Sequence, residues 1–397
     1  MPPPREPLVH RRPRQREAGA ALATEPPAAD GTGFVIDSFE AARQILRAEG
    51  VRQAGFRAEL LERFTGQTNA PVLFQEGAPH QKQRSATARF FAPRVVATRY
   101  RELMERLSDE LVERFAAEGR ARLDDLSLEL AVAVAAEIVG LTESSRRGMA
   151  ERLNRFFATG GAARGAAALG NFIAGQVRML AFFWLDVRPA VRARRSEPRE
   201  DVISHLISQG YSDREILTEC LTYGAAGMAT TREFIVMAAV RLFEQPALQA
   251  RFLAADEAGR IAILEEVLRL EPVVFRLKRR TQCELALETA EGAVTIPART
   301  LVEIDVRAAN RDPDVAGSCP HAIDPDRLRA ARAPASMMSF GDGPHRCPGA
   351  LVALQETAIF LDRLLRVPGL RLERKPAIDW NPVIASYQLR EAVIAVG

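Results

Sequence analysis

Between Phe340 and Gly349 the chain reads Phe-Gly-Asp-Gly-Pro-His-Arg-Cys-Pro-Gly, and an apolar, helix-compatible run follows from Ala350 to Leu365. Few short stretches restrict a fold so tightly. Three glycines and two prolines surround a single cysteine, Cys347, so the backbone must turn sharply and come close to something flat. Gly341, Gly343 and Gly349 supply unusual dihedrals and remove the Cβ atoms that would block such an approach. Cys347 falls just before a helix N-terminus, where unpaired N–H groups and the helix dipole favour a thiolate.

A thiolate held this way is a good axial ligand for haem iron, and its electron donation favours O–O cleavage. The competing reading is a structural loop around an inert, buried cysteine. At every fixed position the stretch resembles the haem-binding signature of the cytochrome P-450 family, Phe-Gly-x-Gly-x-His/Arg-x-Cys-x-Gly. Motifs elsewhere in the chain weigh against the inert reading.

The 397 residues are 47% hydrophobic and 26% charged, ordinary values for a soluble globular protein, and allow one large domain or two or three smaller ones. No apolar run reaches the roughly 18–20 residues of a membrane span. The Pro- and Arg-rich start, Met1 to Glu17, lacks the apolar core of a signal peptide, so a cytoplasmic protein is expected. The four cysteines (Cys220, Cys283, Cys319, Cys347) are scattered, which argues against zinc and against a disulfide framework. A net charge of +3 gives no strong field for nucleic acid.

Residues 1–30 read as a flexible tail, and 31–397 as a single catalytic domain. Gly33–Ile36 reads as a short strand, and Ser38 caps a helix through Arg47. A helical patch is expected at Ala58–Phe64. His80 and Arg84, four apart on a helix running to about Phe91, project from one face and suit a pair of carboxylates, although such spacing alone usually marks a solvated face. From Ala97 to about Gly140 and from Arg146 to Arg195 the pattern is helical, with a Gly/Ala-rich break between Thr159 and Gly170. Phe156, Phe157, Phe172, Phe182, Phe183 and Trp184 either line a substrate lid or pack between helices.

Ser212-Asp213-Arg214-Glu215 is a capping box. No proline follows until Pro246, so the helix it opens can run about 32 residues, or roughly 48 Å. Near its middle lies Gly224-Ala225-Ala226-Gly227-Met228-Ala229-Thr230-Thr231. Glycines weaken the helix there, and hydroxyls bonding back to carbonyls open and bend the ladder, leaving room for a small ligand or water. Glu266 and Arg269 form an i, i+3 acid–base pair. Pro272–Leu277 and Leu285–Ile304 alternate as strands do, with Lys278, Arg279 and Arg280 following the first of them. Ile384–Leu389 reads as a turn facing the substrate.

The resemblance covers roughly residues 33 to 397, with its motifs in the family's order. It implies a mainly α fold, a large helical region with a smaller β-rich lobe. It implies one haem b (iron protoporphyrin IX) ligated by Cys347 in a loop that includes Phe340 and Gly349, with His80, Arg84, Arg279 and His345 on its propionates. Glu266, Arg269 and Arg327 match the family's buried structural trio, and Ala308–Pro313 a further family segment. Gly227, Ala229 and Thr230 fall on the oxygen-binding groove, Ala/Gly-Gly-x-Asp/Glu-Thr-Thr/Ser. Ala229 departs from it by standing where an acid normally relays protons; Glu233 could replace that acid only through water.

The implied reaction is monooxygenation of a small organic substrate by a monomer, with electrons from a separate ferredoxin or flavodoxin-like partner and no membrane or nucleic-acid partner. Ala229 leaves room for a substrate carboxylate or hydroxyl to replace the acid, or for peroxide as oxidant. Non-oxygenating haem–thiolate chemistry, such as isomerisation or oxidative coupling, and a haem ligand-binding protein are the other classes.

Overall fold

The computed structural model of the chain describes residues 33–55, 70–157, 166–289, 292–327, 333–381 and 384–397. The expected tail, the patch at Ala58–Phe64 and much of the Gly/Ala-rich break lie outside them. Helices are Phe39–Arg47 (α1), Gly77–Ala88 (α2), Arg101–Glu118 (α3), Leu123–Val139 (α4), Arg146–Phe157 (α5), Ala166–Phe182 (α6), Arg188–Ser196 (α7), Val202–Ser208 (α8), Asp213–Tyr223 (α9), Thr230–Glu244 (α10), Pro246–Ala254 (α11), Glu257–Leu270 (α12) and Ala350–Leu365 (α13). Strands are Phe34–Ile36 (β1), Val51–Ala54 (β2), Arg120–Arg122 (β3), Arg276–Thr281 (β4), Leu285–Thr289 (β5), Gly292–Ile296 (β6), Leu301–Asp305 (β7), Leu370–Arg374 (β8), Ala377–Asn381 (β9), Ser386–Arg390 (β10) and Val393–Val396 (β11).

Local chemistry sets most helix ends. The Ser38 hydroxyl accepts from the Ala41 N–H at 3.3 Å and starts α1. Both halves of the capping box at Ser212 and Glu215 are made, and α9 starts at Asp213. The helical path then runs through a π-helical stretch, Gly224–Ala229, into α10, which stops before Pro246. The expected bend therefore takes the form of a wider helical turn.

Three expectations are corrected. The helical pattern from Ala97 to about Gly140 gains a short strand: Gly119 takes φ +71 and ends α3, and β3 then pairs with β11, more than 270 residues away, a partner no local pattern reveals. Lys278, Arg279 and Arg280 lie within β4, because β7 and β2 bond to it on both edges and Arg279 sits opposite Val302 and Gln53. Of Ile384–Leu389 only the head is a turn; Ser386 opens β10.

The described residues form two compact units. The first comprises those of Met1–Phe64, Ala255–Cys347 and Ile378–Tyr387. Its sheet has the order β1-β7-β4-β2, with β1 parallel to β7 and the other pairs antiparallel, and β5–β6 is a separate hairpin. Phe39, Ile45 and Leu46 of α1 bury with Val302, Ile304, Met337 and Met338 in one apolar cluster.

The second comprises those of Thr65–Ala254, Pro348–Ala377 and Gln388–Gly397. Here α13 packs on α3, and α10 on α4. Phe360, Leu361 and Leu364 of α13 are fully buried, each contributing roughly 1.5–3 kcal/mol. A three-stranded sheet, β3-β11-β8, completes the unit.

Candidate active site

In the first unit, the cysteine loop is closed by its own backbone. The Cys347 N–H donates to the Phe340 carbonyl at 2.8 Å, the Gly341 N–H to Met338 at 2.8 Å, and the Arg346 N–H to Gly343 at 3.1 Å. Cys347 and His345 are half-buried and Arg346 is exposed. Asp342 fixes the loop's position. Its carboxylate accepts two 3.0 Å bonds from the Arg47 guanidinium at the end of α1, and also the Gly343 N–H at 2.8 Å. Arg43 adds an ion pair at 3.5 Å.

The glycines have different jobs. Gly343 has φ +65, and a Cβ there would fall 2.2 Å from the Leu46 carbonyl oxygen, so it is required by contact with α1. Gly349, two residues past the cysteine at the N-cap of α13, would place a Cβ with nothing within 4 Å. Open space therefore lies beside Gly349, whereas Gly343 is required by its contact with α1.

Glu266 and Arg269 are wholly buried and Arg327 nearly so. Arg269 grips Glu266 with bonds of 2.6 and 2.9 Å and donates to the carbonyls of Pro320 and Ala322. Arg327 reaches the same carboxylate at 3.3 Å and donates to Ala316 and Ala322. The three side chains thus meet at one carboxylate. Asn310, which sequence reasoning passed over inside a matched segment, connects it to the cysteine loop: its amide donates to Arg269 O and Ser339 Oγ, and its oxygen accepts the Met338 N–H at 2.7 Å. Arg279 is buried on β4.

In the second unit, His80 is buried and Arg84 half-buried, one turn apart on α2. Gln83, between them, ties α2 to α9 by donating to the Glu219 carboxylate at 2.8 Å, which also accepts the Val72 N–H at 3.0 Å. The Tyr211 hydroxyl donates to Gln83. Burial pushes the Glu219 carboxyl up to about 7, partly held back by the Val72 and Gln83 bonds.

On the long helix the Thr230 hydroxyl donates to the Ala226 carbonyl, within the π-helical stretch. Ala229 is buried. Glu233 is already engaged: it accepts from the Leu389 N–H at 2.8 Å, from Arg390 at 2.8 Å and from Arg232 at 2.7 Å. These bonds tie Leu389 and Arg390 to the long helix. Of the aromatics proposed for a lid, Phe182 is core, and Trp184 is exposed with Arg188 4.0 Å above its ring. The Phe157 and Phe172 side chains lie outside the described residues.

A cavity of about 60 Å³ lies within this unit, bounded by α4, the long helix and α13. Tyr223, Gly227 and Thr231 supply one wall, at i, i+4 and i+8 of the long helix; Gly349, Ala353 and Glu356 supply another.

This chemistry fits a haem–thiolate centre. In the first unit a half-buried thiol sits in a loop closed by its own backbone, and His345 and the buried Arg279 of the same unit carry an imidazole and a guanidinium. Among the described residues no three His, Cys, Asp or Glu side chains gather as a multi-ligand metal site would need. Similarity to known proteins points the same way. Residues 261–375 match the family model for Cytochrome P450. Biflaviolin synthase CYP158A1 of Streptomyces coelicolor is 31% identical over 313 residues, 76% of this chain and 70% of its own length. The Biotin biosynthesis cytochrome P450 of Bacillus subtilis is 27% identical over 77% of this chain and 74% of its own. The crystal structure of CalO2 superposes with a TM-score of 0.77 at 22% identity, covering 93% of this chain and 91% of that one. The fold is therefore that of the haem–thiolate oxygenases. The chain belongs to the cytochrome P450 family, and it is a haem-dependent monooxygenase, an oxidoreductase. No helix among the described residues is long and apolar enough to cross a membrane.

Proposed function

We propose that residues 31–397 act as one catalytic domain in which Cys347 is the thiolate ligand of a b-type haem, and that the enzyme inserts one atom of O₂ into a small organic substrate during the tailoring of a biosynthetic product. The observation that carries this reading is the self-closed Phe340–Cys347 loop, clamped by Arg47 through Asp342 and followed at once by α13. Bound haem supplies the redox chemistry, reducing O₂ with two electrons and two protons so that one oxygen atom enters the substrate and the other leaves as water.

The protein's share is positioning and protons. His80, Arg84, Arg279 and His345 hold the propionates as cationic or neutral donors. Phe340 and Gly349 border the macrocycle. Thr230, fixed by its bond to the Ala226 carbonyl, holds a water at the opened turn. Electrons come from a separate ferredoxin or flavodoxin-like protein, and the enzyme works as a cytoplasmic monomer.

The reading is tested by the reduced carbonyl complex. The wild type is expected to show the band of a thiolate-ligated haem, and Cys347→His that of an imidazole-ligated one; a wild type already of the imidazole kind overturns it. Buried Ala229 favours a second reading, peroxide as oxidant. Turnover with hydrogen peroxide that matches or exceeds turnover with O₂ and a reductase system would select it.

A further inference from the structure

Among the described residues, the exposed large apolar side chains are Ile173, Val177, Leu180, Trp184 and Leu185, each 51–60% exposed. All five fall within one helical path of the second unit, which runs from α6 through a π-helical turn, Phe183–Val187, into α7. A folded monomer in water seldom leaves such a contiguous apolar surface unless something covers it. Four of the five form a line. Ile173, Val177, Leu180 and Trp184 are spaced by four, three and four residues, the 3.5-residue period of a coiled-coil seam. At 1.5 Å per residue the line is roughly 16 Å long. Exposed Asn171 and Gln176 interrupt the surface beside it, so the apolar face is narrow. A helix lying on a lipid surface needs a broad face; a narrow seam suits the side of another helix.

Charge decides what that helix must carry. The line continues at helical spacing into Arg188 and Arg192, and Arg188 stands 4.0 Å over the Trp184 ring. Arg178 follows Val177. Among the described residues no carboxylate pairs with any of these three arginines. Between Ala166 and Ser196 the chain has one acid, Asp186, which is buried and held by Arg152 at 2.6 Å. Arg194 and Arg195 are satisfied by Asp201 and Asp213. A second copy of this chain would therefore bring more arginine to the seam and no free acid.

We propose that this face of α6 and α7 is a docking surface for an acidic protein, which lays against it one helix carrying an apolar seam followed by Asp or Glu. The seam of that helix covers Ile173, Val177, Leu180 and Trp184, and its carboxylates meet Arg178, Arg188 and Arg192. Apolar burial supplies most of the affinity, and the arginines select the partner and speed the encounter. The inference goes beyond the monooxygenase reading and uses no step of it.

The test uses holoenzyme and two synthetic helical peptides of about three heptads. Both carry Leu along the seam; one has Glu flanking it and the other Lys. Binding is read from the anisotropy of a dye on the peptide and from protection of the Trp184 ring against acrylamide. Trp184→Phe is the blank, since Trp380 is the one other tryptophan. The Glu peptide is expected to bind, less tightly as salt is raised, and the Lys peptide at least about tenfold more weakly. Val177→Ser with Leu180→Ser, and Arg188→Glu with Arg192→Glu, should each weaken the Glu peptide about tenfold or more, at unchanged melting temperature and haem content. Arg346→Glu, in the cysteine loop, should leave it unchanged. Equal binding of the two peptides, binding of neither, or equal weakening by Arg346→Glu overturns the proposal. A wild-type dimer in sedimentation that Val177→Ser with Leu180→Ser dissolves also overturns it, and makes a second copy the occupant. So does co-sedimentation with phosphatidylglycerol–phosphatidylcholine vesicles that the same pair abolishes, which makes the occupant a lipid surface. Every readout is independent of turnover, so failure here leaves the monooxygenase reading to be judged by its own carbonyl spectrum.

Discussion

Buried acids are the residues whose behaviour the structure makes most specific. Glu219 has one oxygen bonded to Val72 and Gln83 and the other, Oε2, without a partner. Its carboxyl sits at about 7 against an ordinary 4.5, so the native state holds a proton that the unfolded chain releases. Stability therefore falls as pH rises across that window, by about 1.4 kcal/mol per unit. Glu219→Gln keeps the size and one acceptor but cannot ionise. Denaturant midpoints measured from pH 5 to 7 should fall less in this variant than in the wild type.

Arg269 gives a contrasting prediction. Its loss takes the shortest ion pair from the buried Glu266 carboxylate, so Arg269→Ala should cost about 3–5 kcal/mol in urea unfolding. The pair was legible from its i, i+3 spacing and Arg327 from its motif. Asn310 was not, because its partners Ser339 and Met338 lie about 30 residues away and no spacing rule joins them.

At the scale of elements, the cysteine loop depends on α1. Gly343→Ala forces a side chain onto φ +65 and onto the Leu46 carbonyl. A loss of about 1–3 kcal/mol from the dihedral alone should appear as a lower melting temperature and poorer haem incorporation. Gly349→Ala meets no atom within 4 Å and has an ordinary φ of −89, so the haem-free protein should melt unchanged. Asp342→Ala removes both Arg47 bonds, and haem should transfer to an acceptor globin faster than from the wild type, with the thiolate band intact. Sequence reading placed all three glycines against a flat ligand. It had no means of seeing that Gly343 backs onto a helix some 300 residues earlier. The ends of α9, α10 and α13 were legible because a capping box, a proline and a glycine act within a few residues of themselves.

For the whole molecule, the proposed route of electrons is an encounter with a second protein. Arg346 is exposed in the cysteine loop on a chain of net charge +3, a setting that favours an acidic donor. Arg346→Glu should slow reduction by the donor and weaken its salt dependence without changing haem content; an unchanged reduction rate would place docking elsewhere. Sequence by itself determined the turns of the cysteine loop, the long helix with its weak middle and the alanine at 229, since each is a property of neighbouring residues. Only tertiary structure decided which glutamates are paired. Glu233 and Glu356 are alike in a sequence, both on helices. Burial and pairing are set by segments far along the chain: Arg390 and Leu389 bind the first, and the helices around the cavity leave an oxygen of the second unpaired.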